Sequence, residues 1–152
     1  METRQTVMRS KVLEYEANVM WREGLRGTLR ADGLPEMEVA TPVEFKGEPG
    51  IWTPEHLLVS SASSCLMLTF LNFASQRRIK VAAYEADANG TLERFEGRYR
   101  FTKIFIRARI ALGSADDTAR ALKAFRDAEA ACLITASLRA HVESQPLFST
   151  AA

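Results

Sequence analysis

The chain has 152 residues, 47% hydrophobic and 26% charged, with 20 Lys+Arg against 19 Asp+Glu and a net charge of +1. That length suits one ordinary domain able to bury a core without disulfide staples, so a single domain over 1–152 is expected, with a structured core from about residue 12 to 147. The near-neutral charge balance argues against a dedicated nucleic-acid binder and against an acidic disordered protein, and two cysteines are too few for a disulfide framework.

The stretch Met1–Ser10 carries charges but no apolar run after them, so no leader is expected. Leu13, Tyr15, Ala17, Val19 and Trp21 alternate with Glu14, Glu16 and Asn18, which predicts a half-buried strand over 12–21. Arg22–Arg30 and Met37–Val43 read as two more strands joined by a turn at Asp32-Gly33. The run Lys46-Gly-Glu-Pro-Gly50 is a loop.

Thr53-Pro54-Glu55 is a helix start: Thr caps, Pro loses nothing by lacking an N–H at the first helical position, and Glu faces the positive end of the helix dipole. The helix is expected to reach Gln76. From Leu57 to Gln76 there is no formal charge, a length that could cross a bilayer. Ser60, Ser61, Ser63, Ser64, Thr69, Asn72 and Ser75 make it too polar for a membrane span, so a buried central helix in a cytoplasmic protein is expected, with no membrane partner. Two alternating strands follow near 82–94 and 99–112, with Glu96-Gly97 at the turn. Ser114 with Asp117 opens a second helix in the manner of a capping box, and Leu122, Phe125, Ala128 and Cys132 recur on one face. A last strand near 140–146 closes the chain. Strands and helices without regular βαβ alternation indicate an α+β fold.

The chemistry rests on few residues. Cys65 lies mid-helix and Cys132 lies on the apolar face of the second helix. The residues alone admit two readings: small buried apolar side chains, or a pair that meets in space with one thiol attacking and the other resolving. Glu55 is explained by helix capping. A functional alternative is that it orients a cation beside a thiolate. Ten residues of unbroken helix place Glu55 about 15 Å from Cys65, so the two act on one site only if they come from different subunits. His56 and His141 have no ligand-like spacing to the cysteines, so no metal is expected. No Gly-x-Ser-x-Gly elbow surrounds the Ser60–Ser64 cluster, and no phosphate-binding loop is present. Tyr99, Phe101, Lys103, Phe105, Arg107 and Arg109 form a basic and aromatic strand face. Long side chains covering aromatics explain that face without nucleic acid, which is not expected as a partner.

The segment Phe45-Lys-Gly-Glu-Pro-Gly-Ile-Trp-Thr-Pro-Glu-His-Leu-Leu58 with Ala62-Ser-Ser-Cys65 resembles the OsmC/Ohr family, the osmotically inducible and organic-hydroperoxide-resistance proteins, in its OsmC-like branch. Ala128-Glu-Ala-Ala-Cys132-Leu-Ile-Thr135 resembles the family's second-cysteine motif, and Phe101-Thr-Lys-Ile104 is similar to its hairpin. The resemblance implies an intertwined α+β homodimer, with antiparallel sheets around a long central helix that carries the first cysteine. It implies a thiol peroxidase that reduces organic hydroperoxides without a cofactor and is restored by an external dithiol. Cys65 would attack and Cys132 resolve, at a site on the subunit interface. Glu55 would orient an arginine near the thiolate, with Arg22 and Arg26 the candidates in that order and Lys46 behind them. Leu58, Leu66, Met67 and Phe70 would form an apolar approach. Leu133 and Thr135 stand where the family usually has Pro and Ser, so the second helix is expected to continue through Cys132. A redox-silent protein holding a small apolar ligand and a thiol-based oxidant sensor are the alternative functions.

Overall fold

The computed structural model describes residues 11–152, and the chain divides into a first unit ending at Pro54 and a second unit, Glu55–Ala152. In the first unit β1 (Asn18–Glu23), β2 (Arg26–Arg30) and β3 (Met37–Ala40) form an antiparallel sheet in that order. Its boundaries differ from those expected. Arg22 and Glu23 extend β1 through a bulge after Trp21, and Gly24, at φ +50°, makes the turn into β2. An alternating pattern defines a strand only where a neighbour pairs with it. Residues 11–17 have no such neighbour among the described residues and form no regular structure, leaving Leu13 and Tyr15 exposed. A short 3-10 turn, Val43–Phe45, leads to Gly47, where a Cβ would lie 1.5 Å from the Thr41 carbonyl oxygen. Only glycine fits that close approach.

The second unit opens with α1 (Pro54–Gln76), which starts at the expected Pro. It ends in a Schellman-type closure: the Ile79 N–H reaches the Ala74 carbonyl at 2.9 Å across Arg78, which sits in the left-handed region at φ +55°. β4 (Val81–Phe95) and β5 (Arg98–Leu112) are the antiparallel hairpin turned at Glu96-Gly97, both at positive φ. Ser114 accepts from the Asp116 N–H at 3.2 Å and caps a 3-10 turn that runs into α2 (Thr118–Ala131). After α3 (Leu133–Ala136), β6 (His141–Thr150) lies on the open side of β5. β6 runs parallel to β5, contrary to the expected all-antiparallel arrangement. A parallel neighbour requires a long crossover, and the segment carrying α2 and α3 provides it. Pro146 is accommodated because β6 is an edge strand.

Both helices contribute to one core. Ile104, Ile106, Ala108, Ile110 and Leu112 of β5 meet the α1 stripe Ala62, Leu66, Phe70 and Ala74 and the α2 stripe Ala121, Ala124, Phe125 and Ala128. The α2 face is therefore centred on alanines and Phe125, while Leu122 is 41% exposed. Phe70 stands between Phe125 and Tyr84, with ring centroids 5.6 Å and 6.0 Å away. Burial pushes the Tyr84 hydroxyl pKa up to about 12. α1 is long and apolar enough to cross a membrane by length and composition, yet its burial in one chain is confined to that single stripe, and Leu68 is 61% exposed. The expected buried central helix is thus a core helix that one chain covers along a single stripe.

A bulge after Thr91 shifts the β4–β5 register, pairing Thr91 with Lys103 and Leu92 with Phe101. It turns Phe101 to the helix side, where it and Val59 of α1 close over Gly90. The expected basic and aromatic face is therefore interrupted. Two of its charges are matched by acids: Arg109 pairs with Asp87 at 2.6 Å and Glu85 at 3.4 Å, and Lys103 with Glu143 at 2.7 Å, while the Arg107 guanidinium lies 5.7 Å from the Phe105 ring centroid. A Cβ at Gly90 would lie 2.5 Å from Val59 Cγ2 and 2.7 Å from Phe101 Cε1. Gly90→Ala is expected to lower stability by about 1–3 kcal/mol through overpacking, measurable as a shift in the urea midpoint at constant slope.

Candidate functional site: the Cys65–Cys132 pair

Cys65 sits mid-α1, one residue before the buried Leu66, and is itself half-buried. Cys132 is 1% exposed. α2 does not run through it, contrary to expectation: the backbone at Cys132 is extended, with φ −68° and ψ 113°, so α2 stops at Ala131 and α3 restarts at Leu133. At the break the Cys132 carbonyl takes the first backbone bond of α3 and one additional, side-chain donor. The Ala136 N–H and the Thr135 hydroxyl both reach it at 3.1 Å. A Thr side chain that competes for a backbone carbonyl in this way favours a helix boundary over a helix interior.

The break shapes the surroundings of the Cys65 sulfur. The first N–H groups of a helix lack partners within it. Here the amides of Ile134 and Leu133 and the Cys132 thiol lie beside Cys65 and favour its thiolate. The Thr69 hydroxyl lies beside that sulfur and donates to the Cys65 carbonyl at 2.8 Å. Burial pushes the Cys65 thiol pKa up, but these donors outweigh it and hold the group below the ordinary cysteine value. Cys132 goes the other way. Burial raises its pKa, Thr135 lowers it, and the proton it gives to Cys65 raises it again. The pair is therefore polarised, with a thiolate-prone Cys65 and a protonated Cys132.

This polarity makes a checkable prediction. Below its pKa Cys65 is protonated and alkylates slowly, so the pH profile of its reaction with iodoacetamide reports the pKa. The inflection is expected below that of an ordinary cysteine. Cys132→Ser keeps a donor and preserves the low inflection, whereas Cys132→Ala removes it and moves the inflection upward.

The other expected residues are placed less closely. α1 is unbroken, so Glu55 in its first turn is about 15 Å along the helix from Cys65. One Glu55 carboxylate oxygen is buried without a hydrogen-bond partner among the described residues. Arg22, Arg26 and Lys46 belong to the first unit. The Arg22 Nε donates to the Thr28 hydroxyl at 2.8 Å. Arg26 pairs with Glu48 at 3.2 Å and Glu23 at 3.8 Å, and Lys46 ends the 3-10 turn at φ +68°. The expected apolar approach is reduced to Leu58 and Met67, both half-buried, because Leu66 and Phe70 are committed to the core. Among the described residues no cluster of three or more His, Cys, Asp or Glu side chains is arranged to hold a metal ion. His141 pairs with Glu143 at 3.1 Å. Thr69 and the amides of Leu133 and Ile134 were not expected from the sequence. Thr69, one helical turn after Cys65, could have been found by its spacing, but backbone amides carry no sequence signal.

A family model described as "OsmC-like protein" matches residues 47–146. A Bacillus subtilis relative, the uncharacterized protein YmaD, is 27% identical over 123 residues, covering 78% of this chain and 81% of its own. Among solved structures, an OsmC-like protein of unknown function from Vibrio cholerae superposes with a TM-score of 0.82 at 24% identity, over 90% of this chain and 100% of the other. An organic hydroperoxide resistance protein from Elizabethkingia anophelis superposes with a TM-score of 0.72 at 18% identity, over 94% and 100%.

Proposed function

The chain belongs to the OsmC-like family, and from that premise we propose that it is a thiol-dependent peroxidase acting on organic hydroperoxides through Cys65 and Cys132. The observation that carries this reading is the surroundings of the Cys65 sulfur: two backbone amides and the Cys132 thiol directed at it. That arrangement favours the nucleophilic thiolate and places a second thiol within hydrogen-bond reach of the first.

The Cys65 thiolate attacks the O–O bond, the alkoxide leaves as an alcohol, and Cys65 becomes a sulfenic acid. The Cys132 thiol condenses with it, water leaves, and an intramolecular disulfide forms. An external dithiol restores both thiols. No cofactor takes part. The protein acts in the cytoplasm as a homodimer of single-domain chains, with Glu55 of one subunit serving the site of the other. The buried Glu55 oxygen without a donor and the exposed apolar residues Leu68, Leu13 and Tyr15 support that assembly. Arg22 is the first choice for the cation that Glu55 orients, since among the described residues only its Nε is committed, to Thr28. Arg26, already paired with Glu48, is the second.

The test is consumption of tert-butyl hydroperoxide in the presence of dithiothreitol, followed directly. Multiple turnovers per chain are expected. Consumption no faster than an equal concentration of free cysteine would reject the reading.

A further inference from the structure

A cavity of about 620 Å³ opens between α2 and β6, and Cys132 lies in its wall together with Ala130, Thr135, Val142 and Ser144. Cys65 is not in that wall. We propose that this cavity is the reductant's entrance: a small neutral dithiol enters between α2 and β6 and attacks the Cys132 sulfur of the oxidised pair. The proposal rests on the peroxidase reading for the biological source of the disulfide, and on the cavity for the direction of attack.

Three observations support it. First, of the two cysteines only Cys132 lines the cavity. Attack there makes Cys65 the leaving group, and exchange is faster when the departing thiol has the lower pKa. The amides of Leu133 and Ile134 stabilise Cys65 in that role. Second, the charges around the opening are already paired. Arg126 donates to both Glu129 oxygens at 2.9 Å and 2.8 Å, and Lys103 holds Glu143. Such a rim offers little to a charged thiol and suits a neutral one. Third, the Ser144 hydroxyl donates to Glu129, tying β6 to α2 across the cavity, so its walls are fixed in place.

The chemistry balances. One thiolate of the dithiol attacks the Cys132 sulfur, the Cys65–Cys132 bond breaks, and Cys65 departs as a thiolate. The second thiol of the reductant then attacks its own bound sulfur and releases Cys132, which takes a proton. The reductant leaves as a cyclic disulfide, oxidised by two electrons. The protein has gained those two electrons, and one proton passes to solvent.

The experiment begins from protein oxidised with diamide, so it does not depend on hydroperoxide chemistry. Oxidised protein is mixed briefly with 2-mercaptoethanol and quenched with N-ethylmaleimide, and the adducts are located by peptide mass. The expected pattern is maleimide on Cys65 and mercaptoethanol on Cys132. In parallel, Ala130→Trp fills the cavity from an exposed helix position. It is expected to slow dithiothreitol reduction of the disulfide by at least about tenfold, while the single-turnover oxidation of reduced protein by tert-butyl hydroperoxide stays at the wild-type rate. Mercaptoethanol on Cys65, an unchanged reduction rate in Ala130→Trp, or failure of diamide to form the disulfide would each overturn the proposal. Normal reduction through Cys132 without oxidation by hydroperoxide would instead reject the peroxidase reading and leave the entrance standing.

Discussion

Serine in place of Cys65 is expected to abolish hydroperoxide consumption, with a loss on the order of 10³-fold or more, because the thiolate that attacks the O–O bond is gone. Cys132→Ser is expected to fail differently. Its Cys65 keeps the Leu133 and Ile134 amides and a hydroxyl donor in place of the thiol, so the first oxidation proceeds at close to the wild-type rate. No disulfide can then form. Without reductant, Cys65 stops as a sulfenic acid and passes to the sulfinic acid under excess peroxide. Intact mass and trapping with a sulfenic-acid reagent separate the two variants. Equal defects in both would mean that Cys132 acts in the attack itself, which the polarity of the pair does not provide for.

The second large effect is structural. Phe125 is fully buried and packs on Phe70, so Phe125→Ala is expected to cost about 3–5 kcal/mol, a lost ring plus the cavity it leaves. For a chain of this size that corresponds to a fall in melting temperature of roughly 10 °C or more. The effect should reach the site. Phe125 lies on α2 two turns before the break at Cys132, and Phe70 lies on α1 just beyond Cys65, so the aromatic contact joins the helix that carries Cys65 to the helix that leads into Cys132. Phe125→Ala is therefore expected to slow disulfide formation as well, and Phe125→Leu, which leaves a smaller void, to retain most of both properties. Thermal unfolding and thiol loss after peroxide, measured on the same samples, check this.

What the sequence made legible was mostly local. Thr53-Pro54-Glu55 marks the α1 start, the alternation near 82–94 and 99–112 marks the hairpin, and Ser114 marks the entry to α2, because caps and periodicity act over a few residues. Three features left no such mark. Residues 11–17 alternate like a strand but have no pairing neighbour among the described residues. β6 reads as a strand, but its parallel placement follows from the crossover above it. The break at Cys132 is the most consequential. Ala131-Cys132-Leu133 is compatible with continuous helix, and Thr135 becomes a boundary signal only once its hydroxyl is seen on the Cys132 carbonyl. The candidate site was thus half readable: both cysteines stood out, while the amides that polarise them were hidden in the backbone.

The central claim is that Cys65 and Cys132 form a working redox pair. The most direct measurement is free-thiol count and intact mass before and after one equivalent of an alkyl hydroperoxide, without reductant. The account predicts loss of both thiols much faster than from free cysteine, a mass lower by two hydrogens per chain, and full recovery with a dithiol. Survival of both thiols would contradict it and make them packing residues, leaving a redox-silent ligand-binding protein as the reading to pursue.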